Sequence, residues 1–288
     1  MIVVTDEVRE AEAVVALETT LVAHGFPPGE GGAVGLESER RVRSAGAVPA
    51  TIGILDGAVR VGLRPDELER FGASARKVGA RDLAAACAQG IVGATTVGGT
   101  LAVARAAGFR VMATGGIGGV HRRWQERPDV SADVGELART RAVVVCAGAK
   151  SLLDVEATME LLETLGVPVL GLATDELPLF YSAHGGPPVP ARVESAPEAA
   201  AVARLHWELG GGGLVLARPP SESLDDIEPL IEEGLSQAQA SGVRGKDVTP
   251  FVLAFLHQRS GGRTLKANRD LVAQNASLAG ELAVELAR

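Results

Sequence analysis

Lys150 is the residue whose type and setting point most directly to chemistry. It ends A-V-V-V-C-A-G-A-K at 142–150, a run of apolar, mostly β-branched residues closed by Gly148. A buried strand that delivers a side chain into a crevice at its carboxyl end reads this way. Open α/β sheets hold their ligands outside such ends. An amine beside dry, apolar backbone finds its charged state costly, so its pKa is expected to fall. A neutral amine is a nucleophile toward a carbonyl or a sugar C1, and an ammonium is not. Asp133 and Asp129, in D-V-S-A-D, lie 17 and 21 residues upstream and could supply an orienting carboxylate and a metal ligand. A surface lysine at a helix start, with two helix-capping aspartates, fits the same pattern, and these residues alone leave both readings open. A second candidate is Glu18, at the end of the short apolar strand Val14–Leu17 and followed by Thr19-Thr20 and Ala23-His24-Gly25.

The elements that must position these groups alternate between strand and helix. Pro49–Leu55 and Ala58–Leu63 read as a hairpin, because Asp56-Gly57 between such runs supplies the positive φ of a type I′ turn. Pro65 starts a helix at its first turn, where the missing N–H does no harm. G-A-T-T-V-G-G-T at 93–100 leads into a helix reaching Ala107, and Arg110–Thr114 is a strand ending in G-G-I-G-G at 115–119. Glycine-rich turns at helix starts or strand ends can present bare N–H groups to a phosphate. Neither matches a dinucleotide fingerprint or a P-loop, and either can be a plain tight turn. Ser151 is expected to cap a helix running to about Leu165, and Val167–Leu172 is the next strand. Helices are expected over 197–209 and 223–240, from near Thr249, and over 265–288, with a strand at Leu214–Ala217. No repeat, low-complexity tract or linker interrupts this order. It predicts an α/β fold, a three-layer α/β/α sandwich around a mostly parallel or mixed sheet, as a single domain over 1–288.

Composition narrows the class. In 288 residues, 46% are hydrophobic but only 3% aromatic, so Ala, Val and Leu must build the core. A net charge of −8 argues against a nucleic-acid binder, while leaving room for a local basic pocket. Cys87 and Cys146 sit in apolar segments without metal-like spacing, which reads as two core thiols in a reducing cytoplasm. The start, M-I-V-V-T-D-E-V-R-E, lacks the basic and apolar blocks of a secretion signal, and no apolar run is long enough to span a membrane.

Several phrases, taken together, resemble one family. A-L-E-T-T-L-V-A-H-G at 16–25, P-A-T-I-G-I-L-D-G at 49–57, K-V at 77–78 with R-D at 81–82, and G-A-T-T-V at 93–97 are similar to the pseudouridine-5′-phosphate glycosidases, a group also named after an indigoidine-synthesis protein. A-T-G-G-I-G-G-V-H-R at 113–122, D-V-S-A-D at 129–133, V-V-C-A-G-A-K-S at 144–151, G-K-D-V-T-P-F at 245–251 and K-A-N-R-D-L-V-A-Q-N at 266–275 continue the match in collinear order. The resemblance implies reversible cleavage of the C–C bond between ribose 5-phosphate C1′ and uracil C5, a homotrimer, and a divalent cation, usually Mn²⁺, with Mg²⁺ as the other choice. It implies Lys150 as nucleophile, Glu18 as proton donor and Asp129 as metal ligand. Lys77, the backbone at Val97, and Ser131, Ala132 and Asp133 would contact substrate. Thr114 and His121 are further candidates for the phosphate, and Asn268, ahead of Asn275, for the base.

The residue types suit that reaction. A C–C glycosidic bond has no leaving oxygen to protonate, so a pair of carboxylates faces the wrong problem. An amine attacking C1′ as the ribose ring opens gives an iminium that acts as an electron sink, and a protonated Glu18 can serve the ring oxygen or pyrimidine C5. Three places depart from the family pattern. Gly79-Ala80 replace a polar and a basic residue, Arg123-Trp124 stand where glycine usually follows His-Arg, and Arg218-Pro219-Pro220 replaces an Asn-Pro-Ile-Pro-like phrase. The first weakens local phosphate contacts and the second reshapes the loop over the phosphate. Two rival readings share these residues: a Schiff-base aldolase acting on another phosphosugar, and a non-catalytic sugar-phosphate-binding accessory protein.

Overall fold

The apolar runs fold as strands that are buried on both faces. Along Val14–Glu18, Val14 and Ala16 enter one hydrophobic cluster while Val15 and Leu17 enter another. The same alternation holds along Val143–Cys146 and Leu214–Ala217. Two separate cores, one on each side of a single sheet, require helices above and below it. The computed structural model describes residues 2–126 and 128–288, Lys246 by its backbone only.

The strands are β1 (Ile2–Val4), β2 (Val14–Glu18), β3 (Val48–Leu55), β4 (Ala58–Val61), β5 (Arg76–Val78), β6 (Gly93–Thr95), β7 (Val111–Ala113), β8 (Val120–His121), β9 (Val143–Cys146), β10 (Leu153–Asp154), β11 (Val169–Leu172), β12 (Ala191–Val193) and β13 (Leu214–Ala217). The main sheet runs β1-β4-β3-β2-β7-β9-β13-β11-β12, with β6 also on β3 and β5 on β6. From β3 to β12 every neighbour on that path is parallel, whereas β3 meets β4 and β6 antiparallel. The expected α/β sandwich on a mostly parallel, mixed sheet is what forms. Asp56 and Gly57 both take positive φ, 53° and 75°, as the type I′ hairpin requires. β8 and β10 form a separate antiparallel pair.

The helices are α1 (Asp6–Glu10), α2 (Thr20–His24), α3 (Gly31–Ser44), α4 (Pro65–Leu68), α5 (Leu83–Ala88), α6 (Val97–Ala107), α7 (Ala132–Arg139), α8 (Val155–Thr164), α9 (Ala196–Glu208), α10 (Glu228–Ala240), α11 (Val248–Arg259) and α12 (Arg263–Ala287). Apolar residues of α6, α7, α8, α10 and α11 fill one core, and those of α9 and the second half of α12 fill the other. Gly280 lets α12 lie against α3, since a Cβ there would stand 2.7 Å from the Ala45 methyl. Among the described residues no helix is long and apolar enough to cross a membrane.

Two helix starts differ from expectation. Ser151 does not cap α8, because Leu153 and Asp154 first pair with His121 and Val120. The cap passes to Asp154, whose carboxylate accepts from the Ala157 N–H at 3.0 Å. The helix expected from Ser223 begins at Glu228, because Ser223 Oγ and Ser182 Oγ both bind the Asp225 carboxylate and hold that stretch in a loop.

Candidate active site

The site lies where the sheet forks. β2 pairs with β3 up to Glu18 opposite Ile52, and β6 then takes over at Gly53. The joint is closed by hydroxyls. Thr19 Oγ1 donates to the Ile52 carbonyl at 2.8 Å and accepts the Thr95 N–H at 2.9 Å, while Thr95 Oγ1 donates to the same carbonyl at 2.7 Å. With the Ile52 carbonyl and the Thr95 N–H satisfied this way, β2 ends abruptly and leaves Glu18 at a strand end. β7 runs beside it with Ala113 opposite Leu17, so Thr114 falls next to Glu18. Thr114 Oγ1 donates to Glu18 Oε1, and the Thr114 carbonyl accepts from Asn275 Nδ2 at 2.8 Å.

Lys150 follows β9 through a turn locked to the glycine-rich 115–119 segment. The Ala147 N–H donates to the Gly115 carbonyl at 2.9 Å, the Ile117 N–H to Gly148 at 3.1 Å, and the Lys150 N–H back to Ile117 at 3.1 Å. Gly148 is required here, with φ +82° and a position where a Cβ would overlap the Pro178 carbonyl.

Around these two groups opens a cavity of about 700 Å³ at the carboxyl ends of the strands. Every site residue expected from the sequence lines it: Lys150, Glu18, Lys77, Val97, Thr114, His121, Asp129, Ser131, Ala132, Asp133 and Asn268. Lys77 is the middle residue of β5, and Val97 opens α6 behind the N-cap Thr96, whose Oγ1 accepts the Gly99 N–H. His121 is on β8, its N–H donating to the Asp129 carbonyl at 3.0 Å. Ser131 caps α7, accepting the Asp133 N–H at 3.2 Å. Asp133 is turned inward. Its carboxylate accepts the Gly98 N–H at 2.7 Å and the Gly118 N–H at 3.0 Å, so it ties the start of α6 to the glycine-rich turn. Asn268, on α12, donates to the Gly25 carbonyl at 3.3 Å, whereas Asn275 is fully buried behind Thr114 and Gly115.

Dryness sets the electrostatics. Burial pushes the Glu18 carboxyl above the usual carboxylate range, outweighing the charge of Lys150 and the Thr114 hydrogen bond that pull it down. Burial, then the charge of Lys150, lowers the Lys77 amine against the opposing pull of Asp133, Glu18 and Asp247. Burial also lowers His121, opposed by Asp129 and helped by the two lysines. Cys146 is pushed up to about 12 by burial and is a core thiol, not a nucleophile.

The Asp129 carboxylate faces His121 closely enough to oppose its shift, and no group of three or more His, Cys, Asp or Glu among the described residues could hold a metal. A single carboxylate at a cavity wall fits a hard divalent cation whose remaining ligands are water and substrate oxygens, and does not fit a closed zinc-type site.

A family model described as indigoidine synthase A like protein matches residues 3–285. The chain belongs to the indigoidine synthase A-like family. Proteins named pseudouridine-5′-phosphate glycosidase from Herpetosiphon aurantiacus and Streptomyces griseus share 46% and 48% identity with it. Those matches cover 99% and 95% of this chain and 98% and 87% of the relatives. A crystal structure of an indigoidine synthase A-like protein from Thermotoga maritima superposes with a TM-score of 0.90 at 39% identity, covering 100% of this chain and 97% of that one. The prealnumycin C-glycosynthase AlnA, solved in complex with ribulose 5-phosphate, superposes with a TM-score of 0.89 at 41% identity and the same coverage. The lining residues that sequence reasoning did not single out include Arg81, Phe180, Arg244 and Asp247. Asp247 lies in the matched G-K-D-V-T-P-F phrase and could have been found there; Phe180 carries no pattern of its own.

Proposed function

We propose that this protein reversibly cleaves the C1′–C5 bond of pseudouridine 5′-phosphate, giving uracil and ribose 5-phosphate. The supporting observation is the convergence of Glu18, Lys77 and Lys150 in one cavity at the strand ends, on a chain 44–48% identical over nearly its whole length to proteins of that name.

In this reading Glu18, whose hold on its proton is raised by burial, gives that proton to the ribose ring oxygen as the C1′–O bond breaks. The Lys150 amine adds to C1′ and returns the surplus proton on its nitrogen to the Glu18 carboxylate. The amine's freed lone pair then forms the C1′–N iminium as the C1′–C5 bond breaks, and the electron pair left on C5 takes up the proton that Glu18 received from the amine. Water hydrolyses the iminium, releasing ribose 5-phosphate and restoring the amine. Lys77, the amides at the starts of α6 and α7, and His121 hold the phosphate, whose binding energy is spent on positioning C1′. Asp129 would hold a divalent cation, Mn²⁺ or Mg²⁺, which supplies positive charge to substrate oxygens when bound.

The test is uracil release from pseudouridine 5′-phosphate, followed by absorbance, with Mn²⁺ present. The native chain turns over, and Lys150→Ala loses at least about a thousandfold in kcat while remaining folded. Retained activity would remove Lys150 as nucleophile. A second reading, C-ribosylation of an acceptor other than uracil, is favoured by the likeness to the C-glycosynthase solved with ribulose 5-phosphate. Product formed with another aromatic acceptor, and none with uracil, would select it.

A further inference from the structure

Phe180 holds a backbone conformation that bulky residues avoid. Its φ is +65°, in the left-handed region that favours glycine. Such strain persists only where the surroundings over-determine it, and it concentrates at functional sites. Here the surroundings are the nucleophile's own turn. The Phe180 N–H donates to the Ala147 carbonyl at 3.0 Å, and Leu179 bridges to Gly148, two residues before Lys150. On its far side the Leu224 N–H holds the Tyr181 carbonyl at 2.8 Å. The ring is fixed as firmly as the backbone. It meets the Tyr181 ring edge-on, with centroids 4.7 Å apart and planes at 88°. A Cβ at Gly116 would stand 2.6 Å from Phe180 Cδ2, so the glycine-rich turn leaves the ring its space. Phe180 is the one Phe, Tyr or Trp ring among the described residues that line the cavity, whose lining also includes Glu18, Lys150 and Asn268.

We infer that Phe180 is the wall against which the pyrimidine ring is held while its bond to C1′ is made or broken. A planar base presents a π-face that an aromatic surface can stack against whatever its edges bind. Cleavage also requires that base to keep one orientation relative to Lys150. Building the ring and the amine on two interlocked segments fixes their relative position, and that requirement explains why a strained phenylalanine occupies a place glycine would fill without cost. The inference rests on the activity proposed above.

The test is steady-state synthesis from ribose 5-phosphate and uracil with Mn²⁺, comparing the native chain with Phe180→Leu and Phe180→Tyr. Phe180→Leu should raise KM for uracil about tenfold. KM for ribose 5-phosphate and borohydride trapping of ribose 5-phosphate at Lys150 should stay as they are. Phe180→Tyr, which keeps the ring, should retain the native uracil KM. An unchanged uracil KM in Phe180→Leu, or equal changes for both substrates, would overturn the inference. If the native chain makes no product from uracil, the proposed activity fails on its own account. Calorimetric titration with uracil then reads Phe180 directly. A Kd weakened about tenfold in the leucine variant supports the wall, and an unchanged Kd or no uracil binding by the native chain overturns it.

Discussion

Asp133 decides whether part of the cavity is scaffold or ligand contact. Its side chain is buried, at 5% relative exposure, and its two oxygens separately accept the Gly98 and Gly118 N–H groups at 2.7 and 3.0 Å. Replacing it with Ala leaves two buried amides without partners, each costing about 1–3 kcal/mol. Asp133→Ala should therefore lose about 2–6 kcal/mol of stability, and Asp133→Asn, which keeps one acceptor oxygen, about half as much. For a chain of this size that corresponds to a fall in Tm of about 4–12 °C for the alanine variant. Urea unfolding should show a lower midpoint at unchanged slope. Loss of pseudouridine 5′-phosphate binding should accompany the loss of stability, because the same carboxylate aligns the starts of α6 and α7 at the cavity wall. An alanine variant within about 1 kcal/mol of the native protein would refute the clamp. Weakened substrate binding at full stability would make Asp133 a direct ligand contact.

Glu18→Gln should abolish turnover and yet stabilise the fold by about 1 kcal/mol at pH 8. The raised native pKa of Glu18 means the folded state binds its proton more tightly than the unfolded chain does, so its stabilising contribution is present below the unfolded carboxylate pKa and lost as pH rises through the native value. The Tm advantage of the glutamine variant should accordingly vanish in acid, and an advantage independent of pH would refute the sign. Chelation should depress uracil release and Mn²⁺ restore it, while Asp129→Asn should need more Mn²⁺ for half-maximal rate; indifference of that requirement to the substitution would remove Asp129 as the ligand. Borohydride trapping with ribose 5-phosphate should add mass at Lys150 by peptide mapping, and mass at Lys77 instead would exchange the roles of the two lysines.

The long apolar strands were legible because burial on both faces writes continuous Val, Ala and Leu runs, and Asp56-Gly57 announced its own turn. β5 and β6 were not legible, since three residues carry no periodicity and these strands exist to extend β3 beyond the end of β2. The start of α8 was misplaced for a related reason: the partner of Leu153 and Asp154 lies at Val120 and His121, outside any local window. The site residues were legible through family phrases, and all of those expected fall on one cavity. Their contacts were not. The Thr114–Glu18 hydrogen bond follows from the register of β2 against β7, and the inward turn of Asp133 from the packing of α6 against the glycine-rich segment. A lone Phe in P-L-F-Y announces nothing until its φ is known.

The balance between burial and pairing gives the cavity its character. Had the attraction between Glu18 and the two lysines prevailed, carboxylate and ammonium groups would sit as structural ion pairs, with neither an acid nor a free amine to offer. Burial prevails instead, pushing Glu18 up and Lys77 down, each toward its neutral form. A phosphate dianion entering this space acts on the two in the same sense, because a nearby negative charge raises the proton affinity of any group facing it. The shift opposes the effect of burial on Lys77, as the proposed phosphate contact needs, and adds to it at Glu18, as the proposed ring opening needs. The substrate's own charge thus loads the proton donor, and a nucleoside lacking the phosphate loses that loading as well as an anchor.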